Sequence, residues 1–175
     1  MSTLKVGTIA DHANGNSAIT IDSSGNTSIP SGRVLNAPGH ILQVKQSFVD
    51  TVITSGSTSF VTSGVAVVIT PTSTSSKILL TSSIGGFYMA QNDDIYATIY
   101  RGSTNLGVGT ANCFFYVHND NAQGRYGSGS MEFLDSPNTT SATTYTIFYR
   151  TGNSTAVQIN RADTGLFLTA MEVGG

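Results

Sequence analysis

The sequence is poor in charge. Only 10% of its 175 residues are Asp, Glu, Lys or Arg, against about 25% in average soluble domains. Eight basic residues stand against ten acidic ones, which gives a formal net charge of −2, and the basic residues form no cluster. Because nucleic-acid binding needs a basic field, this balance predicts that the protein has no nucleic-acid partner.

Helix-favouring residues, cysteines and long apolar runs are scarce as well. Glutamate occurs only twice, which argues against a coiled coil or helical bundle. The single cysteine, Cys113, allows no intrachain disulfide and no cysteine-based metal site. No run approaches the roughly 20 apolar residues of a membrane-spanning helix, and the first residues do not resemble a signal peptide. We therefore expect a protein made in a cytoplasm, with no membrane span.

Hydroxyl and amide side chains take the place of charge. The sequence contains 22 Ser, 24 Thr and 12 Asn beside 19 Gly. With 39% hydrophobic residues and little net charge, the chain does not have the composition of a disordered protein. These proportions predict an all-β protein with one main domain, long enough to bury one core.

Residues 1–39 differ from the rest of the sequence. Their apolar side chains are few and are separated by turn-forming Asn, Gly and Pro, as in Ser23–Asn26. So few apolar residues cannot build a core alone, so we expect this segment to anchor the protein to a larger assembly or to trimerise. The candidate anchor or assembly residues are Leu4, Val6, Ile9, Ile19, Ile21 and Ile29.

Residues 40–175 read as a head domain of eight or nine strands separated by turns. The run Val65–Ile69 is continuous enough to predict a strand buried on both faces, and Gly85-Gly86 predicts a bulge or bend. The predicted strands also include Ile41–Val49, Leu106–Val117 and Leu166–Val173. Their number and spacing predict an antiparallel β-sandwich or jelly roll with essentially no long helix.

Catalytic chemistry finds little support. The histidines His12, His40 and His118 are far apart and lack partners at ligand-like spacing. The segment Gly127–Ser130 resembles a nucleophile elbow only in composition, since no helix is predicted after it. We therefore expect no enzymatic activity, no catalytic residue, no cofactor and no metal ligand.

Two polar loops, residues 91–94 and 118–123, are the candidate contact sites. Their oxygen-bearing side chains are of the type that Ca²⁺ prefers, although neither loop has a calcium-loop spacing, and a polar connecting loop is the favoured interpretation. Tyrosines near these loops offer amphipathic contact area for a sugar or a receptor. The candidate receptor-contact residues are Tyr88, Asn92, Asp93, Tyr96, His118, Asn119, Asp120, Asn121 and Tyr126.

The arginines are isolated from one another. In a chain this poor in charge, we expect each to pair with an acid such as Asp135 or Asp163, within or between subunits. The arginines concerned are Arg33, Arg101, Arg125, Arg150 and Arg161.

Several stretches resemble tail-fibre and other virion structural proteins of bacteriophages, many of them marine. The resemblance is carried by both ends of the chain and, more loosely, by two stretches between them. The stretches are Leu4–Ile9, Ser17–Asn26, Ile41–Val44, Ser75–Leu79, Phe133–Tyr145, Val157–Arg161 and Leu168–Val173.

This resemblance implies a homotrimeric fibre or appendage with a distal jelly-roll head, similar to the tumour-necrosis-factor and C1q type. Almost no shaft separates the anchor from the head, which predicts a short spike or a capsid-bound fibre. We expect a virion protein, assembled in the host cytoplasm, that contacts other virion proteins through residues 1–39 and a host-surface glycan or protein through its head.

Two other functions remain open. One is a capsid decoration protein, such as a cement protein or head fibre, that clamps or ornaments the shell. The other is a carbohydrate-binding module; a depolymerase would need a pair of acidic residues at a reaction centre, and only two glutamates are present.

Overall fold

The structure is a computed structural model that describes residues 8–10, 17–31, 38–161 and 164–175. All the secondary-structure elements in these ranges are β-strands, which confirms the predicted all-β class. The candidate anchor residues Leu4 and Val6 lie outside the described residues. The described part of the chain has no helix that is long and apolar enough to cross a membrane.

The chain divides into two compact units, Met1–Ala37 and Pro38–Gly175. In the first unit, three short strands form an antiparallel sheet: β1 (Thr8–Ala10), β2 (Ser17–Ile21) and β3 (Thr27–Ser28). The assignment of residues 1–39 to an anchor or trimerisation segment and of residues 40–175 to a head remains a prediction.

The turn between β2 and β3 closes on Asp22, as the turn-forming residues predict. The Asp22 carboxylate accepts hydrogen bonds of 2.9 Å from the Asn26 side-chain amide and from the backbone N–H groups of Asn26 and Ser24. These donors, with the Asn26 amide first, hold the pKa of Asp22 below its usual value. The turn is therefore an Asx turn that a short polar side chain sets locally.

The second unit contains eleven strands among its described residues. They are β4 (Ile41–Val49), β5 (Ile53–Ser55), β6 (Val61–Ile69), β7 (Lys77–Met89), β8 (Asp93–Arg101), β9 (Thr104–Asn105), β10 (Phe115–Asn119), β11 (Arg125–Asp135), β12 (Thr143–Thr151), β13 (Val157–Arg161) and β14 (Leu166–Val173).

These strands form two antiparallel sheets. The front sheet has the order β4-β14-β7-β11, and β13 and β5 continue it beside the C-terminal part of β7. The back sheet has the order β6-β12-β8-β10, with β9 paired to β8. When the eight principal strands are numbered along the chain, the two orders are 1-8-3-6 and 2-7-4-5. This is the interlocked arrangement of a jelly roll, which confirms the predicted fold.

The core lies between the two sheets and is formed by alternate residues of the strands. Every second residue of a strand points to the same face of its sheet, so the inward-pointing residues of the two sheets pack against each other and are buried. The largest are Ile69, Ile78, Leu80, Ile84, Met89, Ile95, Ile99, Tyr145, Ile147, Tyr149, Ile159 and Leu166.

A polar clamp joins the two sheets at one edge of the core. Arg101 of β8 donates from Nη1 to both carboxylate oxygens of Asp135 on β11, each at 2.9 Å. The buried Tyr145 hydroxyl donates to the same carboxylate at 2.7 Å. Burial, together with the adjacent Asp135 charge, raises the pKa of Tyr145 well above its usual value. The clamp confirms the predicted pairing of Arg101 with Asp135. Arg125, Arg150 and Arg161 form no ion pair with an acid that the structure describes, and Arg33 and Asp163 lie outside the described residues.

Strand β7 carries the bulge that its two glycines predict. Between Ser83↔Ser130 and Gly86↔Ser128 the register shifts, so that Ile84 and Gly85 stand opposite a single residue of β11. Gly85 has φ +65°, which a residue with a side chain adopts only under strain. The bulge lets one strand of 13 residues keep its inner face on the core on both sides of this point.

Two strand predictions are wrong. The run Val65–Ile69 is buried on one face only, because the back sheet is covered on its inner face alone and Ala66 and Val68 point outward and are exposed. The predicted strand Leu106–Val117 is instead a loop over residues 106–114 that leads into β10. In this loop the Asn105 side-chain oxygen accepts hydrogen bonds from the Gly107 N–H and the Thr98 hydroxyl, which ends β9 after two residues.

Candidate binding surfaces

Three loops meet at one end of the jelly roll, where β7–β8, β10–β11 and β12–β13 connect. Asp93, the first residue of β8, is fully buried among them. Its carboxylate accepts hydrogen bonds of 2.7 Å from the Thr151 hydroxyl and of 3.1 and 3.0 Å from the N–H groups of Gly152 and Asn153. The oxygens of Asp93 are therefore occupied by donors of this chain, and the residue organises the loops.

Asn119 has a similar structural position. Its side-chain amide is fully buried and donates to the carbonyl oxygens of Ala90, at 2.8 Å, and Gln123, at 3.0 Å. The other predicted contact residues of these loops, Asn92, Asp120 and Asn121, are exposed. Of the polar loop residues, these three are accessible to a partner, whereas Asp93 and Asn119 form the framework beneath them.

The outer face of the back sheet carries a tyrosine pair. Tyr96 of β8 stands opposite Tyr116 of β10, and their ring centroids lie 4.8 Å apart with the planes inclined by 32°. On the other side of Tyr96, the Arg150 guanidinium lies 3.6 Å from the ring centroid. The three side chains form a row across three neighbouring strands, held by offset stacking and a cation–π contact.

Asp94 lies beside this row and connects its members. Its carboxylate accepts hydrogen bonds from the hydroxyls of Tyr96 and Tyr116, each at 3.2 Å, and lies 2.6 Å from Nδ1 of His118. Burial, then the Asp94 charge, raises the pKa of both tyrosines. Tyr96, Tyr116, His118 and Asp94 are called the tyrosine site below.

The aromatic row continues toward β6 and β12. Arg150 also lies over the ring of Phe60, at 5.2 Å, and Tyr100 stacks on Phe148 with centroids 4.0 Å apart. Phe60 and Tyr100 meet edge to face at 6.3 Å. These contacts cover much of the outer back sheet with aromatic surface and leave the Tyr116 end of the row at the edge of the sheet.

A second aromatic pair lies on the outer face of the front sheet. Tyr88 and Tyr126 stand opposite each other on β7 and β11, with centroids 4.9 Å apart. The Arg161 guanidinium lies 5.7 Å from each ring centroid. The fold therefore separates the predicted contact tyrosines into two groups on opposite sheets.

Below this pair, the outer face of the front sheet carries an apolar row between two rows with polar residues. One of these rows holds Gln46, Thr169, Thr81 and Glu132, and the other holds Lys77 beside Val173. Val44, Met171, Leu79 and Leu134 stand side by side on β4, β14, β7 and β11, and so form one row across all four strands. Phe48 and Phe167 form a second apolar pair on β4 and β14, separated from Val44 and Met171 by the polar pair Gln46 and Thr169. Phe48 is 71% exposed. These side chains, with Ile41 and Val173, are called the apolar face below.

A complete row of apolar side chains on an outer face is unusual for an antiparallel sandwich. The outward side chains of such sheets are ordinarily polar, and a contiguous exposed apolar patch marks an interaction surface. Three of the residues, Ile41, Val44 and Phe48, are more than half exposed. The apolar face therefore has the composition of a surface that is covered in an assembly.

Sequence reasoning missed Tyr116 and the whole apolar face, and it included Asp94 only as part of the loop 91–94. Tyr116 and His118 alternate on one strand, as Asp94 and Tyr96 do on another, and this period-2 pattern was the available signal. The apolar face had a weaker signal, since Leu79-Leu80 and Phe133-Leu134 place apolar residues on both faces of their strands.

In the first unit, the candidate assembly residues that the structure describes remain accessible. Ile9, Ile21 and Ile29 are exposed, and Ile19 is half-buried opposite Ile9. Among the described residues of the whole chain, no three His, Cys, Asp or Glu side chains converge as metal ligands would.

Comparison with known proteins gives little. No family model matches the chain, and no curated protein matches it in sequence. Among solved structures, the chain is similar to one in the structure of infectious bursal disease virus Gx strain, with 15% sequence identity and a TM-score of 0.33. The match covers 92% of this chain and 48% of that chain, so this chain spans about half the length of that neighbour. A TM-score this low carries no weight for function.

Proposed function

We propose that this protein is a structural subunit of a bacteriophage virion, a short homotrimeric spike whose jelly-roll head projects from the particle and attaches to the host surface. Residues 1–39 anchor or trimerise the spike on other virion proteins. The protein is not an enzyme and works by binding alone. The resemblance of both chain ends to phage fibre proteins supports the virion location.

The observation that carries the self-assembly part of this proposal is the apolar face. A row of four apolar side chains that crosses an entire sheet without a charged residue is costly to leave in water, at roughly 25 cal/mol for each Å² of apolar surface. The chain also has low net charge, so copies of it repel one another weakly. Burial of the apolar face against neighbouring copies removes this cost.

The tyrosine site supports the attachment part. It lies on the outer face of the back sheet, on the opposite side of the sandwich from the apolar face. Contacts between copies through the front sheet therefore leave this site open on each head. Several weak sites on one particle then act together, because the effective concentration at a cell surface is high.

A capsid decoration protein is the second candidate, since the same apolar face suits contact with a shell. The two functions differ in position on the particle. Density on the shell in images of the particle favours decoration or a head fibre, and density at the tail favours adsorption. Particles without the protein that adsorb normally to host cells would count against attachment.

Self-assembly is tested by Val44→Glu. The exposed fraction of Val44, 55%, means that the isolated head tolerates the change, while a carboxylate buried between copies is strongly unfavourable. We expect the wild-type protein to have about three times the 18.2 kDa mass of one chain in solution, by light scattering after gel filtration. The Val44→Glu protein is expected to shift toward the mass of a monomer.

Val68→Glu is the matched control. Val68 is a valine of nearly equal exposure, 53%, on the outer face of the back sheet. We expect this variant to keep the wild-type mass. A monomeric wild-type protein at micromolar concentration, or equal loss of mass in both variants, would contradict assembly through the apolar face.

A further inference from the structure

We propose that the tyrosine site is a carbohydrate-binding site in which a pyranose ring stacks on the outer face of Tyr116 and one of its hydroxyls bonds to Nε2 of His118. This inference rests on the proposed attachment function and names the ligand class for it. It places recognition on one strand edge of the back sheet, away from the exposed loop residues Asn92, Asp120 and Asn121.

One ring face of Tyr116 is open at the edge of the sheet. The rings of Tyr96 and Tyr116 are within 32° of parallel at 4.8 Å, so one face of Tyr116 lies against Tyr96. β10 is the edge strand of the back sheet, so its opposite face points beyond the edge. Tyr116 is 50% exposed. The row that runs from Arg150 through Tyr96 thus ends in a ring face that another flat group can cover.

The Tyr116 ring is held rigidly. Tyr116 donates its hydroxyl proton to Asp94, and Tyr96 does the same, which fixes both ring planes before any ligand arrives. Arg150 presses on the far side of Tyr96 at 3.6 Å. A ring that is already ordered loses little conformational entropy on binding, which favours affinity.

The His118 imidazole is a polar group beside the Tyr116 ring. A carboxylate can only accept, so the 2.6 Å contact between His118 Nδ1 and Asp94 Oδ1 places the imidazole proton on Nδ1. Nε2 makes no hydrogen bond to any residue that the structure describes. In the neutral imidazole it accepts a bond from a hydroxyl, and in the protonated form it donates one.

These features match a sugar better than other ligands. A pyranose presents a face of C–H groups, which carry partial positive charge and lie on the negative face of an aromatic ring, and a rim of hydroxyls. A cation would also lie on the ring, but Asp94 already accepts three hydrogen bonds. A protein partner needs about 800 Å² of surface with an apolar centre, and a single open ring beside an imidazole and a carboxylate is far smaller.

Binding of the full-length protein to immobilised neutral oligosaccharides tests the inference. We expect the wild type to bind at least one of them and Tyr116→Ala to bind it about tenfold more weakly, which corresponds to roughly 1.4 kcal/mol. Tyr116→Phe keeps the stacking ring and is expected to keep most of the affinity. Val68→Ala is the matched control, because it shortens an exposed apolar side chain, 53% exposed, on the same outer face of the back sheet, and should leave binding unchanged.

Particles that carry these variants separate this inference from the proposed function. Reduced adsorption of Tyr116→Ala particles to host cells, and loss of wild-type adsorption after periodate oxidation of the cell-surface sugars, support the glycan site. Adsorption that survives periodate but is lost after protease treatment of the cells overturns it in favour of a protein receptor. Normal adsorption of Tyr116→Ala particles, or wild-type protein that binds no oligosaccharide, also overturns it, while the spike itself stands. Absence of the protein from particles refutes the proposed function instead.

Discussion

At the scale of single residues, three buried carboxylates hold the jelly roll together: Asp93 among the loops, Asp135 in the clamp between sheets, and Glu172 on β14. Each has its oxygens occupied by donors from distant parts of the chain. The pairing of Asp135 with Arg101 was predicted, but the same reasoning did not predict that Arg150 and Arg161 lie over aromatic rings. The burial of Asp93 was not predictable, because its donors Thr151, Gly152 and Asn153 follow it by about 60 residues and come close only in the folded protein.

Glu172 predicts how stability depends on pH. It is fully buried, and burial alone would raise its pKa, but hydrogen bonds from Gln43 at 2.6 Å and from the Thr72 N–H and hydroxyl at 2.6 and 2.7 Å outweigh this, so its pKa is lowered from 4.5. A pKa lowered in the folded state contributes stability above the unfolded value, and this is lost as pH falls through the folded value. We expect Glu172→Gln to lower the free energy of unfolding in urea by about 1–3 kcal/mol at pH 7.

The same difference should shrink as the pH falls from 7 through the lowered pKa of the folded protein, because the wild-type carboxyl loses its charge there. Glu132→Gln is the control, since Glu132 is an exposed glutamate on the outer face of β11. We expect this variant to follow the wild type throughout a titration of stability from pH 7 to the lowest pH at which the protein stays folded. A Glu172→Gln effect that keeps the same size over this whole range would mean that shape, and not charge, accounts for it.

At the scale of elements, the glycines of β11 have a packing role. The segment Gly127–Ser130 lies within β11, at the point where its register with β7 shifts. A Cβ on Gly127 would be 2.5 Å from the Phe87 ring, and one on Gly129 would be 2.2 Å from the Phe115 ring. The two rings meet edge to face at 5.7 Å and occupy the space that the missing side chains leave.

Gly129→Ala is therefore expected to destabilise the head by overpacking. The usual cost is about 1–3 kcal/mol, which corresponds to a fall in Tm of roughly 2–12 °C for a domain of this size. Thermal unfolding followed by circular dichroism measures it. Ser128→Ala, an exposed position between the two glycines, should change Tm little.

A double variant identifies the contact. With Phe115→Leu the shorter side chain withdraws from the Cβ position, so Gly129→Ala should cost less in this background than in the wild type. An equal cost in both backgrounds would show that the strand backbone, and not the Phe115 ring, requires glycine at this position.

Strand prediction succeeded where the pattern is local and failed where it depends on neighbours. Alternation and flanking turns defined Ile41–Val49 and Leu166–Val173 correctly. The apolar run in β6 predicted a strand buried on both faces because composition does not reveal which face of the sheet is left uncovered. The loop after β9 was missed because a side-chain bond from Asn105 to the Gly107 N–H competes with the ladder.

At the scale of the whole molecule, the sequence predicts the class of fold but not its surfaces. Turn spacing and alternation are enough for a β-sandwich or jelly roll. The apolar face needs the order β4-β14-β7-β11, which brings together residues 44, 171, 79 and 134 from across the chain. The same is true of the tyrosine site, where Asp94 and His118 become neighbours only through the pairing of β8 with β10. Interaction surfaces of this fold are therefore products of topology.

The division into two units leads to a prediction about the N-terminal segment. The second unit closes on itself, since the Gly39 N–H donates to the Gly174 carbonyl at 2.7 Å and the Gly174 N–H donates to the His40 carbonyl at 2.8 Å. A chain that begins at Pro38 keeps both bonds and the whole core. We expect the truncated protein to fold, with cooperative thermal unfolding, but to be missing from purified particles. Full-length Val68→Glu is the control and is expected in particles at the normal copy number. The truncation removes the described candidate anchor residues Ile9, Ile19, Ile21 and Ile29. Incorporation of the truncated protein at normal copy number would refute their role as the anchor.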